Sequence, residues 1–190
     1  MASTRDDDIR AARVGELGPT RVDGPIQLAE YDPAWPGLYG REAARIRSIL
    51  GDRVLRLEHV GSTSIPWLAA KPIIDIVMVV PDSSDEAAYV SPLVAGGYLL
   101  RIREPGWFEH RVLNGPDTKV NLHVFSDGCP EIERMLAFRD RLRTHDDERR
   151  RYEAAKRELA ARDWVYVQQY ADAKSEVVEG IIARALAEPD

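Results

Sequence analysis

A run of small and hydroxyl-bearing residues between two apolar segments carries the groups best suited to bind an anion. It reads Gly61-Ser62-Thr63-Ser64. Glycine lets the backbone turn sharply and approach a ligand closely, and hydroxyls and the N–H groups of such a turn are donors that suit phosphate oxygens. The same pattern is also typical of an ordinary turn whose hydroxyls cap the next segment. The stretch predicts a phosphate site if other functional groups converge on it.

An acidic residue interrupts the apolar run that follows this turn. Residues 73–80 read Ile-Ile-Asp-Ile-Val-Met-Val-Val, a composition typical of a central strand covered on both faces. An unpaired carboxylate is costly to bury, so Asp75 needs a metal ion, a base, a place at the strand end or a segment that it caps. Lys71, just ahead of this strand, could pair with Asp75 or contact phosphate. We expect Asp75 and the turn at 61–64 to face one cavity that receives an anionic ligand.

Four further polar residues are candidates to complete that cavity. Asn121 and His123 are two positions apart, so they share one face of a strand, although an Asn-x-His pair can equally be hydrogen-bonded polarity in a core. Glu58 and His59 precede the turn, and one of them should point into the site. His59 has the commoner general-base chemistry, and a structural hydrogen bond from either residue is the alternative.

Hydrophobic periodicity and turn signals predict the elements that must position these side chains. Predicted strands span 26–30, 54–60, 73–80 and 98–102, with a hairpin of 107–113 and 119–125. Predicted helices span 36–50, 86–95, 146–162 and 167–187, with another that begins at 130. The fold class is therefore α/β (α+β), a small mixed sheet with helices and a C-terminal helical bundle. Residues 1–24 are predicted to be a mobile tail, and residues 25–190 a single domain.

Composition narrows the classes of function. The chain of 190 residues is long enough for one domain with a real core, and its formal net charge of -6 argues against a broad basic surface for nucleic acid. Cys129 is the single cysteine, so neither an intrachain disulfide nor a zinc-ligand cluster is expected. No stretch approaches the roughly 18 apolar residues of a membrane span, and the acidic, polar N-terminus does not resemble a secretory signal. We expect a cytoplasmic protein without a membrane partner.

Longer strings in this sequence are more specific than the generic pattern. They are Glu58-His59-Val60-Gly61-Ser62-Thr63-Ser64-Ile65-Pro66, Leu68-Ala69-Ala70-Lys71-Pro72-Ile73-Ile74-Asp75-Ile76, Val120-Asn121-Leu122-His123-Val124-Phe125 and Leu136-Ala137-Phe138-Arg139-Asp140-Arg141-Leu142-Arg143, with Tyr170 and Lys174. They closely resemble the GrpB family, over nearly the whole chain from about Ile26 onward. That family is itself similar to nucleotidyltransferases, whose Gly-Ser turn leads to a strand bearing Asp-x-Asp. The resemblance implies a nucleotidyltransferase-like mixed sheet flanked by helices.

The resemblance also implies roles for individual residues. In nucleotidyltransferases, two carboxylates on one strand and a third on a neighbouring strand hold divalent ions that neutralise the reacting phosphate. Asp75 matches the first carboxylate, whereas Val77 stands where the second would be. Asp75 and His123 are then the expected ligands of Mg²⁺ or Mn²⁺, and the catalytic set is Asp75, His123, His59 and Glu58.

The remaining matches supply the expected substrate-binding set. Arg111 and Lys174 would add positive charge across a cleft, although a solitary Arg or Lys is usually a surface group. The whole set comprises Gly61, Ser62, Thr63, Ser64, Lys71, Arg111, Asn121, Tyr170 and Lys174. Trp67 replaces the glycine usual in this family, and its ring is expected to narrow the pocket or to offer a stacking face.

The leading hypothesis is a nucleotidyltransferase-type enzyme that acts on a nucleotide or on another phosphorylated or activated small molecule with a divalent cation. In this hypothesis Ser62 and Ser64 hold phosphate. A non-catalytic binding, chaperone or regulatory module with a protein partner is the alternative, favoured by Val77 and by GrpB-like domains fused to dephospho-coenzyme A kinase in some bacteria. A third hypothesis is a biosynthetic transferase or ligase that has adapted the phosphate site to a new substrate.

Overall fold

A five-stranded mixed sheet lies at the centre of the structure. The computed structural model describes residues 12–14, 21–22 and 25–188. The strands are β1 (Arg56–Val60), β2 (Ile74–Val80), β3 (Leu99–Glu104), β4 (His110–Asn114) and β5 (Val120–Ser126). Their spatial order is β1-β2-β5-β4-β3, so β5 is inserted beside β2 although three elements separate the two strands along the chain.

Helices cover the sheet and form the C-terminal part of the chain. They are α1 (Trp35–Leu50), α2 (Glu86–Ala95), α3 (Pro130–Thr144), α4 (Asp146–Ala160), α5 (Val167–Ala173) and α6 (Ser175–Ala187), with short 3₁₀ turns at Gly51–Arg53 and Ser62–Ser64. Pro36 and Pro130 lie in the first turns of α1 and α3, where a missing N–H costs nothing. This arrangement confirms the predicted fold class. Within the described ranges, no helix has both the length and the apolar character needed to cross a membrane.

The register of the sheet brings the predicted polar residues to one face. β2 and β5 run parallel, with Asp75 opposite Asn121 and Val77 opposite His123, and the other neighbouring pairs are antiparallel. Opposed residues on adjacent strands project to the same face of a sheet. Asp75, Asn121 and His123 therefore share one face, and the antiparallel pairing of β4 with β5 agrees with the predicted hairpin.

The two faces of the sheet bury separate hydrophobic clusters. Ile74, Ile76 and Met78 of β2 pack on one face against Trp35, Ile46 and Leu50 of α1 and Tyr89 and Leu93 of α2. On the other face, Val77, Val79 and Phe125 pack against Ile132 and Leu136 of α3. Burial on both faces is what the β-branched composition of β2 predicts. Asp75 is the second residue of this strand, beyond the edge of the second cluster.

The first predicted strand is wrong, because it has no continuous neighbour to pair with. Within residues 26–30, only Ala29 forms a bridge, to Ala70. The two residues exchange backbone hydrogen bonds of 2.8 and 2.9 Å.

Two other predicted boundaries are also wrong, each because a local turn intervenes. Residues 107–109 belong to a turn in which the Trp107 N–H donates to the Glu104 carbonyl at 3.1 Å, so β4 begins only at His110. The predicted helix 167–187 is divided near Lys174, whose N–H donates to the Ala171 carbonyl at 3.3 Å. This i→i+3 bond ends α5 before α6 begins.

Parts of the predicted N-terminal tail are hydrogen-bonded to the domain. The Val14 N–H donates to the Arg101 carbonyl at 3.1 Å, and the Val22 N–H donates to the Val165 carbonyl at 3.1 Å. These bonds join the described parts of the tail to β3 and to the segment after α4, and the mobility predicted for residues 1–24 stays a prediction. The rest of the tail, at 1–11, 15–20 and 23–24, lies outside the described residues.

Trp67 has a backbone conformation that favours glycine. Its φ is 66°, a region in which Cβ approaches the following carbonyl oxygen. The side chain is 75% exposed, and its ring centroid lies 5.9 Å from that of Tyr31. The expectation that this ring narrows the pocket is therefore wrong, and the backbone geometry gives a physical reason for glycine at this position.

We predict that Trp67→Gly is more stable than Trp67→Ala by about 1 kcal/mol. Both variants remove the ring and its contact with Tyr31, but only alanine retains the strain of the left-handed backbone. Urea unfolding of the two variants measures the difference. Equal free energies of unfolding would contradict the assignment of strain to Trp67.

Candidate functional site

A cavity of about 140 Å³ lies where the turn after β1, the start of β2, and the C-terminal helices meet. Its walls contain Leu28, Ser62, Thr63, Lys71, Ile73, Asp75, Asn121, Lys156, Tyr170 and Lys174. Most of the predicted substrate-binding residues thus come together. Glu58, His59, Ser64 and Arg111 are not among the lining residues, and each has a structural partner elsewhere. Gly61 and His123 do not line the cavity either, but both lie beside Asp75, which does.

Gly61 is required by its close approach to Asp75. Its φ is 68°, and a Cβ built there would lie 3.0 Å from the Asp75 Cβ and 3.1 Å from the Asp75 Cγ, with Oδ2 closer still. No side chain fits this space, because real Cβ contacts are almost always longer. The turn and the carboxylate are therefore packed directly against each other at the cavity wall.

Two of the three hydroxyls in the turn are used to hold the turn itself. The Ser64 hydroxyl donates to the Gly61 carbonyl at 2.6 Å, and the Thr63 hydroxyl donates to the Ile73 carbonyl at 3.0 Å. Ser64 is therefore a turn-closing residue and not the phosphate ligand that was expected. Ser62 lines the cavity.

His59 supports the turn from the opposite face of the sheet. Its Nε2 lies 3.1 Å from the Thr63 hydroxyl, and its ring stacks on Tyr39 of α1 at 4.9 Å. Because the Thr63 hydroxyl proton is already donated to the Ile73 carbonyl, His59 Nε2 must be the donor of this bond. Burial lowers the pKa of His59 to about 4, so the ring is neutral. The expected general base is thus a structural hydrogen-bond donor.

Glu58 faces the same side of the sheet as Asp75 but is already paired. Arg139 Nη1 donates to Glu58 Oε2 at 2.7 Å, and Arg56 Nε donates to Glu58 Oε1 at 3.0 Å. Although burial opposes the change, these two guanidinium groups hold the pKa of Glu58 below its ordinary value. The expected catalytic carboxylate is an ion-pair anchor between β1 and α3.

Arg111 projects to the sheet face opposite the cavity. It is opposite Val124 in the register of β4 and β5, whereas Asn114 is opposite Asn121 on the cavity face. Its Nε donates to Glu86 Oε1 at 2.6 Å, and its Nη2 donates to Glu109 at 3.0 Å. The expectation that Arg111 adds positive charge to the site is wrong, because a strand residue one position out of phase faces the other layer.

Asp75 is held by a chain of side-chain amides. Asn121 Nδ2 donates to Asp75 Oδ1 at 2.9 Å, and Asn114 Nδ2 donates to Asn121 Oδ1 at 3.0 Å. His123 Nε2 lies 3.8 Å from the same Asp75 oxygen, which is longer than a hydrogen bond. Asp75 thus keeps a fixed orientation, with its Oδ2 directed toward Gly61.

Three lysines bring positive charge to the cavity from separate segments. Lys71 precedes β2, Lys156 lies in α4, and Lys174 joins α5 to α6. Lys156 is 1% exposed, and its Nζ donates to the Ala69 carbonyl. Sequence reasoning missed this residue, although Tyr152, Lys156 and Leu159 follow the spacing of an inward-facing helical stripe. A lysine within such a stripe is the signal that would have identified it.

Tyr170 lies between two of these lysines. The Lys174 ammonium is 4.6 Å, and the Lys71 ammonium 5.6 Å, from the centre of its ring, within the range of cation–π attraction. Tyr170 is 1% exposed, and its hydroxyl has no hydrogen-bond partner in the described part of the chain. Burial raises the pKa of Tyr170 to about 12, so the hydroxyl remains a donor.

In the described part of the chain, the expected metal ligands Asp75 and His123 are not joined by a third His, Cys, Asp or Glu side chain. Among the described residues, no group of three or more His, Cys, Asp or Glu side chains is placed to hold a metal ion. Val77, at the expected position of a second carboxylate, is fully buried. Asp75 with His123 offers two ligands, and one Asp75 oxygen already accepts a hydrogen bond from Asn121. The positive charge at this cavity comes from lysine instead.

Comparisons with known proteins agree with this architecture. A model of the family described as GrpB protein matches residues 25–184. A UPF0157 protein of Halalkalibacterium halodurans is 58% identical over 95% of this chain and 91% of its own length. The crystal structure of the conserved protein GrpB from Enterococcus faecalis matches with a TM-score of 0.72 and 32% identity, over 85% of this chain and 98% of that chain. A dephospho-CoA kinase of Mycolicibacterium paratuberculosis is 32% identical over 73% of this chain and 40% of its own length.

We predict that Gly61→Ala lowers the free energy of unfolding by at least about 2 kcal/mol, because strain at positive φ adds to displacement of Asp75. Gly106→Ala is the matched control, since a Cβ there meets no atom within 4 Å and its φ is not positive. Thermal or urea unfolding measures both. An equal effect of the two substitutions would contradict the close packing of Gly61 on Asp75.

Proposed function

The chain belongs to the GrpB family, and we propose that it binds the phosphate of a nucleotide, or of another phosphorylated or activated small molecule, and transfers a nucleotidyl or related group. The observation that carries this proposal is the convergence of Lys71, Lys156 and Lys174 on one cavity with Ser62 and Asp75. These groups supply the donors and the orienting carboxylate that such a transfer needs.

The charge balance of the cavity supports an anionic ligand. Its walls contain three lysines and one carboxylate, in a protein whose formal net charge is -6. Burying ammonium groups near one another is costly unless an anion compensates them. A phosphate bound between Lys71 and Lys174 would supply that charge, and the unpartnered Tyr170 hydroxyl would donate to it.

The size of the cavity supports a ligand that extends beyond it. A volume of about 140 Å³ accommodates a phosphate and part of its substituent, whereas drug-sized ligands occupy roughly 300–1,000 Å³. A neighbouring groove of about 370 Å³ shares Ile73 and Asn121 with the cavity and runs along residues 114–119. The remainder of a nucleotide or activated substrate would lie there.

The proposed reaction uses the carboxylate of Asp75 at the cavity wall and the Nε2 atom of His123, 3.8 Å from that carboxylate. A hydroxyl of the acceptor transfers its proton to His123 Nε2, and its oxygen bonds to the α-phosphorus of a nucleoside triphosphate. The bond from that phosphorus to the pyrophosphate oxygen breaks, and pyrophosphate leaves with the electron pair. Asp75 orients the acceptor and stabilises the resulting imidazolium, and the lysines neutralise the phosphate charge.

Mg²⁺ or Mn²⁺ enters this proposal as an ion carried by the nucleotide, because the described side chains do not assemble a resident site. Binding of the phosphate group to the lysines is therefore independent of added metal. Chelation of divalent ions with EDTA would leave the affinity for inorganic phosphate unchanged.

A non-catalytic binding module is the second candidate, favoured by two observations. Val77 is buried where a second carboxylate would be, and a related sequence forms part of a dephospho-CoA kinase. In this case the cavity binds a phosphorylated ligand without turnover, or the protein regulates a protein partner. Nucleotide binding without any product, together with co-purification of one stable partner, would select this function over the enzyme.

We predict that Lys174→Ala weakens the binding of a nucleoside triphosphate by about tenfold to a hundredfold, from the roughly 1.5–3 kcal/mol of a hydrogen bond to a charged group. Isothermal titration with a panel of nucleoside triphosphates and inorganic phosphate measures the affinity. Arg151→Ala is the control, because it removes one positive charge from an exposed position on α4. Equal affinities of these two variants, or the absence of binding by the unmodified protein, would contradict the site.

We predict that phosphate affinity falls as pH rises, because only protonated lysine attracts the anion. Burial and the nearby Lys174 lower the pKa of Lys156 to about 7, and burial and Lys71 lower the pKa of Lys174 to about 8. For a phosphate in its fully ionised form, affinity is therefore lost as the pH rises through these values. Lys174→Arg keeps its charge and should show a weaker dependence above about pH 8. A pH-independent affinity would rule out these lysines as ligands.

A further inference from the structure

A row of acidic and imidazole groups leads from the outer strands to Asp75. His110 Nδ1 lies 2.7 Å from Glu104 Oε2, and His110 Nε2 lies 3.1 Å from His123 Nδ1. His123 Nε2 in turn lies 3.8 Å from Asp75 Oδ1. These four residues come from β3, β4, β5 and β2, so the sheet itself sets their spacing.

The middle of this row is held rigidly by aromatic packing. His110 is 4% exposed. Its ring stacks on Phe125 at 4.6 Å and lies nearly parallel to the His123 ring, to which it is hydrogen-bonded edge to edge. Trp107 contacts the His110 ring edge-on at 5.0 Å. A ring packed in this way cannot turn over without displacing its neighbours, so the nitrogen that faces each partner is fixed.

The donors and acceptors along the row follow from Glu104. Its carboxylate only accepts, so the Nδ1 of His110 must carry a proton and donate it. Burial lowers the pKa of His110, which favours the neutral ring, and the Nε2 of that ring is then an acceptor. His123 must therefore donate from Nδ1, and in a neutral His123 ring this leaves Nε2 without a proton.

We propose that Glu104 and His110 hold the neutral His123 ring in its Nδ1–H tautomer, so that the unprotonated Nε2 faces Asp75 and accepts the proton of a group bound beside that carboxylate. Glu104 and His110 are positioning residues in this arrangement. The tautomer follows from the hydrogen-bonded row alone, whereas its use as a proton acceptor rests on the proposed function.

The gap between His123 and Asp75 fits this role. Two acceptor atoms 3.8 Å apart do not bond to each other, but both contact a hydroxyl, an amine or a water that lies beside them. A substrate hydroxyl or amine bound there would lose its proton to His123 Nε2. The resulting imidazolium would face the Asp75 carboxylate. That ion pair would stabilise the charge formed during transfer.

The experiment is nitrogen-15 NMR of the imidazole rings in the ligand-free, uniformly labelled protein, with His123→Asn to assign the signals. The unmodified protein should show His123 with a protonated Nδ1 and an unprotonated Nε2. In Glu104→Ala, the acceptor that fixes the row is lost, and water can bond to His110 Nδ1 as a donor or an acceptor. The His123 signals should then shift toward a mixture of tautomers.

Glu109→Gln is the matched control, because Glu109 lies on the same segment and bonds to Arg111 rather than to His110. It should leave the His123 tautomer unchanged. His110→Phe provides a second test, since it keeps a planar ring but removes both nitrogens, and it should also produce mixed tautomers. Two results would overturn the proposal that Glu104 and His110 set the tautomer of His123. One is a His123 ring protonated mainly on Nε2 in the unmodified protein, and the other is a His123 tautomer unaffected by Glu104→Ala.

The NMR measurement tests the tautomer of His123 separately from the proposed reaction, because it needs no substrate. With a turnover assay in hand, Glu104→Ala should lower kcat severalfold while the affinity for the nucleotide stays constant. The predicted tautomer without any turnover would exclude the catalytic use of His123 but support the control of its tautomer by Glu104 and His110. A turnover rate that is unchanged in Glu104→Ala would show that the tautomer set by Glu104 does not contribute to the reaction.

Discussion

The carboxylate of Asp75 lies at the start of a strand whose following residues are buried, and three segments are arranged around it. The turn before it must have glycine at position 61, because no Cβ fits against the carboxylate. Asn121 on the neighbouring strand donates to it, and Asn114 fixes the orientation of that amide. A charged group at the edge of an apolar layer is stable only with such partners, so its position determines where the cavity can form.

The lysines around this carboxylate represent a cost to the folded protein that an anion would offset. They belong to a loop, a long helix and the junction of two short helices, which tertiary packing brings together. Lys156 and Lys174 repel each other and are poorly solvated, which is why their pKa values fall. Perturbed titratable groups around a cavity are typical of functional sites, and the phosphate-binding proposal uses this feature directly.

Several residues with reactive side chains serve the architecture instead. His59 and Thr63 connect the turn to β1 and to the Ile73 carbonyl, Ser64 closes the turn, and Arg111 pairs with Glu86 on the opposite layer. Each of these residue types is compatible with catalysis when only the sequence is considered. Their roles depend on which acceptor or donor lies within about 3 Å, and such partners are distant in sequence.

Local patterns determined the helices, the buried central strand, the turn at Gly61 and the pairing of Asn121 and His123 on one face, because periodicity and turn chemistry are properties of neighbouring residues. The strand predicted at 26–30 was wrong because its pairing depends on a distant segment. The boundaries at 107–109 and 174 were wrong because local turns intervene, and hydrophobic periodicity does not detect them. Only the tertiary structure decided that β5 lies parallel to β2, that Lys156 reaches the cavity, and that His110 connects Glu104 to His123. These features require residues that are far apart in the chain to meet, and the register of the sheet and the packing of the helices set those meetings.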